Sequence, residues 1–449
     1  FLRHLAGSRT ARCQSCFLPH RHILNRILLR IQHRHFRQTH GSEFPFPVRG
    51  RHIHPDRVPA AGLAPVGYEY ALSKIVHIIT GLNSGGAEIM LLKLLSGMQH
   101  KGLEHSVISL GDRGVMAGRL EEIGVQVLTC GMTPGRISPF KFLKLVSTLR
   151  RLKPDLVQTW LYHADLLGGL AARVAGIPRV YWNIRHSNLD PDKNKRHTLW
   201  TVRTNALLSR WIPDTIVCNS SNSVAIHQGV GFDPGKFIVI PNGFDLQRFS
   251  PDAPARASVR EELGLAPHAR LVGLIARFDP LKNHRGFMQA ASQVAQLSPD
   301  AAFLLAGTDI NSSNGALAGW IREAGLDGRV HLLGMREDIP RLTAALDVAV
   351  CCSWGEGFPN AIGEAMACAV PCVVTNVGDC AGIVGDTGWV VQPGDMTGLA
   401  RCIAEALGLP AEAWQARGAA ARQKVIDRYS LPAIVSQYEA QYLRAGRTP

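Results

Sequence analysis

The chain has 449 residues, 46% of them hydrophobic, and 49 Lys plus Arg against 35 Asp plus Glu give a formal net charge of +14. That apolar content excludes a disordered or fibrous protein, and the length leaves room for two or three cores at roughly 100–200 residues each. The charge is uneven: residues 1–70 hold 11 Arg, no Lys and only Glu43, Asp56 and Glu69, a net +8, and the rest of the chain carries +6. The body lacks a concentrated stripe of cations and aromatics, so nucleic acid is not an expected partner.

The leader, residues 1–71, is expected to be disordered or outside the fold. It has no apolar run long enough for a secretory signal, because Arg26 and Arg30 interrupt residues 23–31. Its Arg-rich, acid-poor composition is one it shares with transit peptides. Cys13, Cys16, His20 and His22 have only three residues between Cys16 and His20, where a zinc finger needs about a dozen, so no metal site is expected. The other eight Cys sit mostly in apolar contexts such as Cys351-Cys352, the pattern of reduced, buried thiols in a cytoplasmic protein. No run of 18 apolar residues predicts a membrane span.

From residue 74 short apolar runs alternate with helical patterns, the mark of βαβ units and parallel sheets. In the first half, strands are predicted at 75–80, 106–110, 125–129, 156–159, 180–183, 215–218 and 237–240, with helices at 87–101, 139–152, 164–175 and 221–228. Together they predict one doubly wound domain over 72–250. The stretch 241–267, rich in Pro and Ala and containing Asn242-Gly243, reads as a linker. A second domain over 251–430 follows, with strands at 271–276, 302–306, 330–332, 348–351, 373–375 and 388–391. Helices at 285–296, 316–324, 339–345 and 359–368 lie between them, with further helical stretches at 396–407 and 411–429. Residues 431–449 are expected to form a C-terminal helix that packs back on the first domain. Ligands of such sheets bind beyond the carboxyl ends of the strands, so a cleft between two such domains is the expected site.

Three motifs can carry chemistry there. Gly81-Leu82-Asn83-Ser84-Gly85-Gly86-Ala87-Glu88 lies between the first strand and the first helix, where glycine permits close backbone approach and helix N–H groups favour an anion. It lacks the dinucleotide spacing G-x-G-x-x-G, and a plain tight turn is the alternative. Residues 353–367 read Ser-Trp-Gly-Glu-Gly-Phe-Pro-Asn-Ala-Ile-Gly-Glu-Ala-Met-Ala. Pro359 suits a first helical position, which would leave the N–H groups of Asn360, Ala361 and Ile362 facing a phosphate. Glu356 before this helix and Glu364 within it would flank the phosphate at different depths. Carboxylates accept from vicinal sugar hydroxyls, which suggests a nucleoside diphosphate sugar; a dipole-favouring acid and an ordinary surface Glu are the alternative. Residues 273–284 end the first strand of the second domain, where Arg277 and Lys282 would offset diphosphate charge unless they are simply solvated cations.

With these motifs in order, residues 74–425 resemble a retaining family-4 glycosyltransferase (glycosyl transferases group 1) of the α/β GT-B fold, two Rossmann-like doubly wound domains facing across a cleft. Ser220-Ser221, Ile240-Pro241-Asn242-Gly243-Phe244-Asp245 and Pro393-Gly394-Asp395 fit the same family. The resemblance implies transfer of a sugar from a nucleotide-diphosphate sugar to a glycan or lipid-linked acceptor hydroxyl, with retained configuration and neither metal nor other cofactor. It implies that Arg277 and Lys282 bind the diphosphate, Glu364 the ribose and Glu356 the transferred sugar. Gly357, Phe358 and Asn360 would hold sugar and phosphates through the backbone, and Gly85 and Gly86 would approach the diphosphate from the first domain. Met335 and Arg336 would border the nucleobase, His186 would stand beside the transferred sugar, and His163 is an acceptor-side candidate. Asp190-Pro191-Asp192 has the spelling of a metal-binding Asp-x-Asp but lies in a Lys-rich loop and is taken as chance.

The segment from Pro139 to Lys153 is amphipathic and basic, so contact with an anionic membrane surface is expected there, and the implied location is cytoplasmic and peripheral on the inner membrane. Two other readings stay open: a sugar-nucleotide epimerase of the same fold, or a non-catalytic sugar-nucleotide-binding protein.

Overall fold

The computed structural model describes residues 73–446, apart from 84, 100–101, 134–137 and 191–193. The leader with its Cys and His residues lies outside the described residues, as do Pro191 and Asp192 of the Asp-x-Asp match.

In the first domain the chain runs β1 (Ser73–Ile79), α1 (Gly86–Gly97), β2 (Leu103–Ser109), α2 (Met116–Glu122), β3 (Gln126–Thr129), α3 (Pro139–Leu152), β4 (Leu156–Trp160), α4 (Tyr162–Ala175), β5 (Arg179–Ile184), α5 (Arg196–Leu208), β6 (Thr215–Cys218), α6 (Ser221–Gly229) and β7 (Phe237–Val239). The second runs α7 (Ala253–Glu262), β8 (Arg270–Ile275), α8 (His284–Leu297), β9 (Ala301–Ala306), α9 (Gly315–Glu323), β10 (Val330–Leu332), α10 (Ile339–Ala344), β11 (Val348–Cys351), α11 (Asn360–Ala367), β12 (Cys372–Thr375), α12 (Cys380–Val384), β13 (Trp389–Val391), α13 (Met396–Leu407) and α14 (Ala411–Tyr429), before α15 (Leu431–Gly446).

Both sheets are parallel, with strand orders β3-β2-β1-β4-β5-β6-β7 and β10-β9-β8-β11-β12-β13. Central strands such as β4 and β9 are buried on both faces, so β9 reads as a continuous apolar run rather than an alternating one, while β4 also buries Gln158 and Thr159. Helices cover both faces. In the first domain Leu145, Val146, Ala171 and Val202 of α3, α4 and α5 pack one face, and Leu91, Leu95 and Leu120 of α1 and α2 pack the other. In each sheet the strand order reverses once, between β1 and β4 and between β8 and β11, and ligands gather at such points.

The 241–267 stretch is only partly a linker. Phe244 and Phe249 already belong to the second core, and α7 forms within it, started by Asp252, whose carboxylate accepts from Ala255 N (2.8 Å). Its apolar pattern is thin because the buried face includes Arg260, which pairs with the buried Asp347 at 2.7 Å. α2, α5 and α12 were not expected either. α2 and α12 are short, and α5 buries little beyond Val202, Asn205 and Ala206, too sparse a stripe to show in the sequence.

The chain crosses between domains twice at one place. Phe244 N donates to Tyr429 O (2.8 Å) and Leu431 N to Phe244 O (2.8 Å), a single bridge between the outgoing and returning segments. After it α15 turns back onto the first domain, where Ile434, Val435, Tyr438 and Tyr442 join the core of α1 and β4.

Candidate active site

A cavity of about 530 Å³ opens between the domains, lined from the carboxyl ends of strands in both sheets. The first turns of α1 and α4, which follow β1 and β4, supply Gly86, Glu88, Tyr162 and His163, and the loop after β5 supplies Arg185 to Asn188. Across from them the loops after β8 and β11 supply Arg277, Lys282 and Gly355 to Phe358, with Asn360. The strand ends that the two topologies designate, those of β1, β4, β8 and β11, therefore all reach this cavity.

The loop after β11 is fixed by its glutamate. Glu356 Oε1 accepts from Lys282 Nζ and from Ser353 Oγ, both at 2.6 Å, and the Cys351 thiol lies at 3.6 Å. Burial by itself would lower the Lys282 pKa, but the Glu356 carboxylate outweighs it and holds the ammonium above its usual value. The side chains are only 22% and 10% exposed, so the pair is largely screened from water. Gly378, at φ +55°, lets the next strand's loop lie against this one: a β-carbon there would stand 2.3 Å from Glu356 O. Arg277 is more open and leans on Asp279 at 2.7 Å.

α11 begins one residue later than expected. Pro359 is the capping residue, and Ile362 N returns to Pro359 O at 3.2 Å, so Asn360 and Ala361 are left as the N–H groups facing out of the helix end. The Asn360 side chain accepts from Asn242 Nδ2 (2.7 Å). At Gly86 a β-carbon would meet nothing within 4 Å, whereas at Gly85 it would collide with Glu88. Gly86 lines the cavity and Gly85 stands just behind it.

His186 opens to the cavity, yet protein crowds its ring and this desolvation lowers its pKa, against hydrogen bonds from the Asn194 and Asn188 side. Its backbone is clamped from below. His227, fully buried, must donate from Nδ1 to Ser223 O (2.6 Å), because a carbonyl only accepts. Burial pushes the His227 pKa down to about 4, so the ring is neutral and Nε2 accepts from the Tyr162 hydroxyl at 2.7 Å. The Ser223 hydroxyl is then the donor to His186 O (3.2 Å), with the Tyr162 oxygen 3.3 Å from the same atom. His163 lies near the mouth, its pKa lowered first by burial and then by His197, whose ring is 5.8 Å away.

The cavity thus gathers His186, Arg277, Lys282, Glu356, Gly86, Gly357, Phe358, Asn360 and His163. Glu364, Met335 and Arg336 are not among its lining residues. Glu364 sits half-buried on the second turn of α11, and burial lifts its pKa to about 7 against the pull of Lys93 and Arg248. Met335 is exposed, and Arg336 pairs with Asp338 (2.7 Å) and Glu262 (2.8 Å).

Sequence reasoning missed the residues that tie the domains together. Asp379 accepts from Ser221 N (3.0 Å) and Asn222 N (3.1 Å), so a carboxylate of the second domain caps α6 of the first. Ser187 Oγ donates to Glu356 O at 2.9 Å. The only sequence signals were Ser220-Ser221 at a helix start and Gly378-Asp379 beyond a strand end, and neither names its partner.

A two-domain sheet architecture with cations, a helix start and carboxylates at facing strand ends defines the class of nucleotide-sugar glycosyltransferases of the GT-B fold. The model of the Glycosyltransferase Family 4 matches residues 84–248, and that of the Glycosyl transferases group 1 matches residues 269–408. Escherichia coli UDP-Gal:alpha-D-GlcNAc-diphosphoundecaprenol alpha-1,3-galactosyltransferase is 30% identical over 310 residues, 65% of this chain and 79% of the relative. The Campylobacter jejuni N,N'-diacetylbacillosaminyl-diphospho-undecaprenol alpha-1,3-N-acetylgalactosaminyltransferase is 27% identical over 316 residues, 68% of this chain and 81% of the relative. The Anabaena HepE structure in complex with UDP and glucose has the same fold, with TM-score 0.71 at 23% identity over 83% of this chain and all of that one. The chain belongs to glycosyltransferase family 4 and is a glycosyltransferase.

Proposed function

We propose that the enzyme transfers a sugar from a nucleoside diphosphate sugar to a hydroxyl of a lipid-linked glycan, with retained anomeric configuration and without a metal ion. The observation that carries this reading is the Lys282–Glu356 pair, with Arg277 and the start of α11, at one end of the cavity. Lys282, Arg277 and the outward N–H groups of Asn360 and Ala361 offset the charge of the departing diphosphate, the task a metal would otherwise perform. Glu356, held by two donors through one oxygen, keeps its other oxygen for hydroxyls of the transferred sugar. Glu364 accepts from the ribose, and Met335 and Arg336 border the base. Gly86, with Gly85 behind it, lets the backbone approach the diphosphate. The neutral His186 ring faces the sugar, and the acceptor enters past His163 on the same face from which diphosphate leaves, which retains configuration.

The lipid-linked acceptor is supported by the two relatives above, whose names carry diphosphoundecaprenol substrates. α3 adds a basic, amphipathic face for an anionic membrane, and the working place is the cytoplasmic side of the inner membrane. No helix among the described residues is long and apolar enough to cross a membrane.

The test is a panel of UDP-, GDP- and ADP-sugars with a lipid-diphosphate-linked sugar acceptor, with and without chelator, and the product anomer read by NMR. Transfer with retention, unaffected by chelator, is expected. An inverted product or chelator-sensitive turnover refutes the mechanism, and release of free sugar without transfer refutes the activity.

A further inference from the structure

α5 was invisible in the sequence, and its outer face is unlike an ordinary solvated helix. Counting along it, Arg196, Trp200, Arg203 and Leu207 lie within one narrow stripe, and Arg210 and Trp211 continue it just past the helix end. All six are exposed, Trp200 at 68% and Leu207 at 72%, so three cations alternate with three large apolar groups on a convex surface. Single exposed apolar residues are common, but an aligned set is not. α4 lies between α5 and α3, which shows a second set, Phe140 at 78% exposure with Leu143, Lys144 and Arg151. Neither α3 nor α5 contains an Asp or Glu, and the nearby Asp214 is already paired with Arg173 at 3.0 Å.

The stripe also has a direction. At the start of α5, Asn194 and Thr198 line the cavity and His197 stands beside His163, so the helix runs outward from the mouth of the site. Arg with interleaved Trp suits the phosphates and interface of a lipid headgroup layer, where Arg stems snorkel and indoles settle. The same residue types would suit single-stranded nucleic acid in a groove, but here they stand on a convex helix, and Leu207, Leu143 and Phe140 favour acyl chains.

We propose that α5 is the bilayer-docking helix of this enzyme. Trp200, Leu207 and Trp211 enter the headgroup layer of an anionic membrane while Arg196, Arg203 and Arg210 meet its phosphates. An acceptor anchored in the same bilayer then reaches the cavity past Thr198 and His197. This rests on the lipid-linked acceptor proposed above and moves the main contact from α3 to a helix that begins at the site.

Full-length protein is sedimented with vesicles of phosphatidylcholine containing phosphatidylglycerol, and with phosphatidylcholine alone. Each Arg near an anionic surface strengthens partitioning about five-fold. Trp200→Ala with Leu207→Gln should weaken binding to anionic vesicles about ten-fold. Leu297→Gln, an exposed apolar residue of the second domain, should change nothing. Quenching of indole emission by brominated lipid should drop in Trp200→Phe. Wild-type protein indifferent to anionic vesicles at low salt overturns the proposal. So does undiminished binding by the α5 double variant, which would assign the contact to α3 or the leader, or preference for single-stranded RNA over vesicles. Transfer to a short-chain, water-soluble acceptor should be equal in the double variant and wild type; its absence in both refutes the functional reading, while the vesicle result judges α5 independently.

Discussion

Replacing Lys282 by Ala separates what the Lys282–Glu356 pair does for the fold from what it does for turnover. At 2.6 Å the gross attraction is about 6 kcal/mol for an effective dielectric of about 20, most of it offset by desolvation of both groups. Breaking a buried pair costs about 3–5 kcal/mol, and because both side chains keep a little water and Ser353 still donates to Glu356, the lower end is expected. Turnover adds a second loss, since one cation facing the leaving diphosphate is worth about 10²–10³ in kcat/KM. Lys282→Ala should therefore lower stability by about 3 kcal/mol in denaturant titration and kcat/KM by at least about 10². Adding Glu356→Gln removes the stranded charge, so stability should recover to within about 1 kcal/mol while turnover does not. The raised pKa of Lys282 gives stability that is full below its unfolded value of 10.5 and fades only as pH climbs through the folded one, so assays at neutral pH see no titration of it. A Lys282→Ala enzyme that loses stability but keeps kcat/KM within about three-fold would refute the diphosphate role and leave a structural pair.

Glu364, with its pKa raised from 4.5 to about 7 by burial, destabilises the fold when ionised, so stability should rise as pH falls through that value and level off below the unfolded one. Donor affinity by calorimetry should weaken over the same fall, because the proton occupies the acceptor of the ribose hydroxyls; Glu364→Gln should flatten both curves. Tyr162→Phe and Ser223→Ala loosen the clamp on His186, so kcat should drop about ten-fold with donor KM within about two-fold, and Ser223→Thr should restore it. Equal losses in kcat for Ser223→Thr and Ser223→Ala would count against positioning. Gly363→Ala would place a β-carbon 2.0 Å from the Phe244 ring, which is stacked on Phe358, and should cost about 1–3 kcal/mol by urea titration.

The parallel sheets were legible because buried strands announce themselves as short apolar runs, and the loops that line the cavity were legible because they follow those runs. α5 and α7 were hidden for opposite reasons. α5 hides its helical period because two of its five large apolar residues, Trp200 and Leu207, face outward, and α7 because an arginine occupies a buried position. The site shows the same division. Glu356 and Lys282 stand 74 residues apart, and each is conspicuous in its own loop, yet only folding makes them a pair. Asp379 on α6, and the proton order Tyr162–His227–Ser223, depend on contacts and tautomers that spacing along a chain does not encode.

The double crossing at Phe244 and Ser430 means that the first lobe is not a self-contained stretch of chain, whereas the second is. The first lobe finishes its core with Tyr438, Tyr442 and Val435, and a β-carbon at Gly97 would stand only 2.6 Å from the Val435 side chain. During synthesis from the N-terminus this lobe must wait, with part of its apolar face uncovered, until α15 has emerged after the whole second lobe. A nick or stop codon near residue 430 would thus damage the lobe made first and leave the one made second closer to whole.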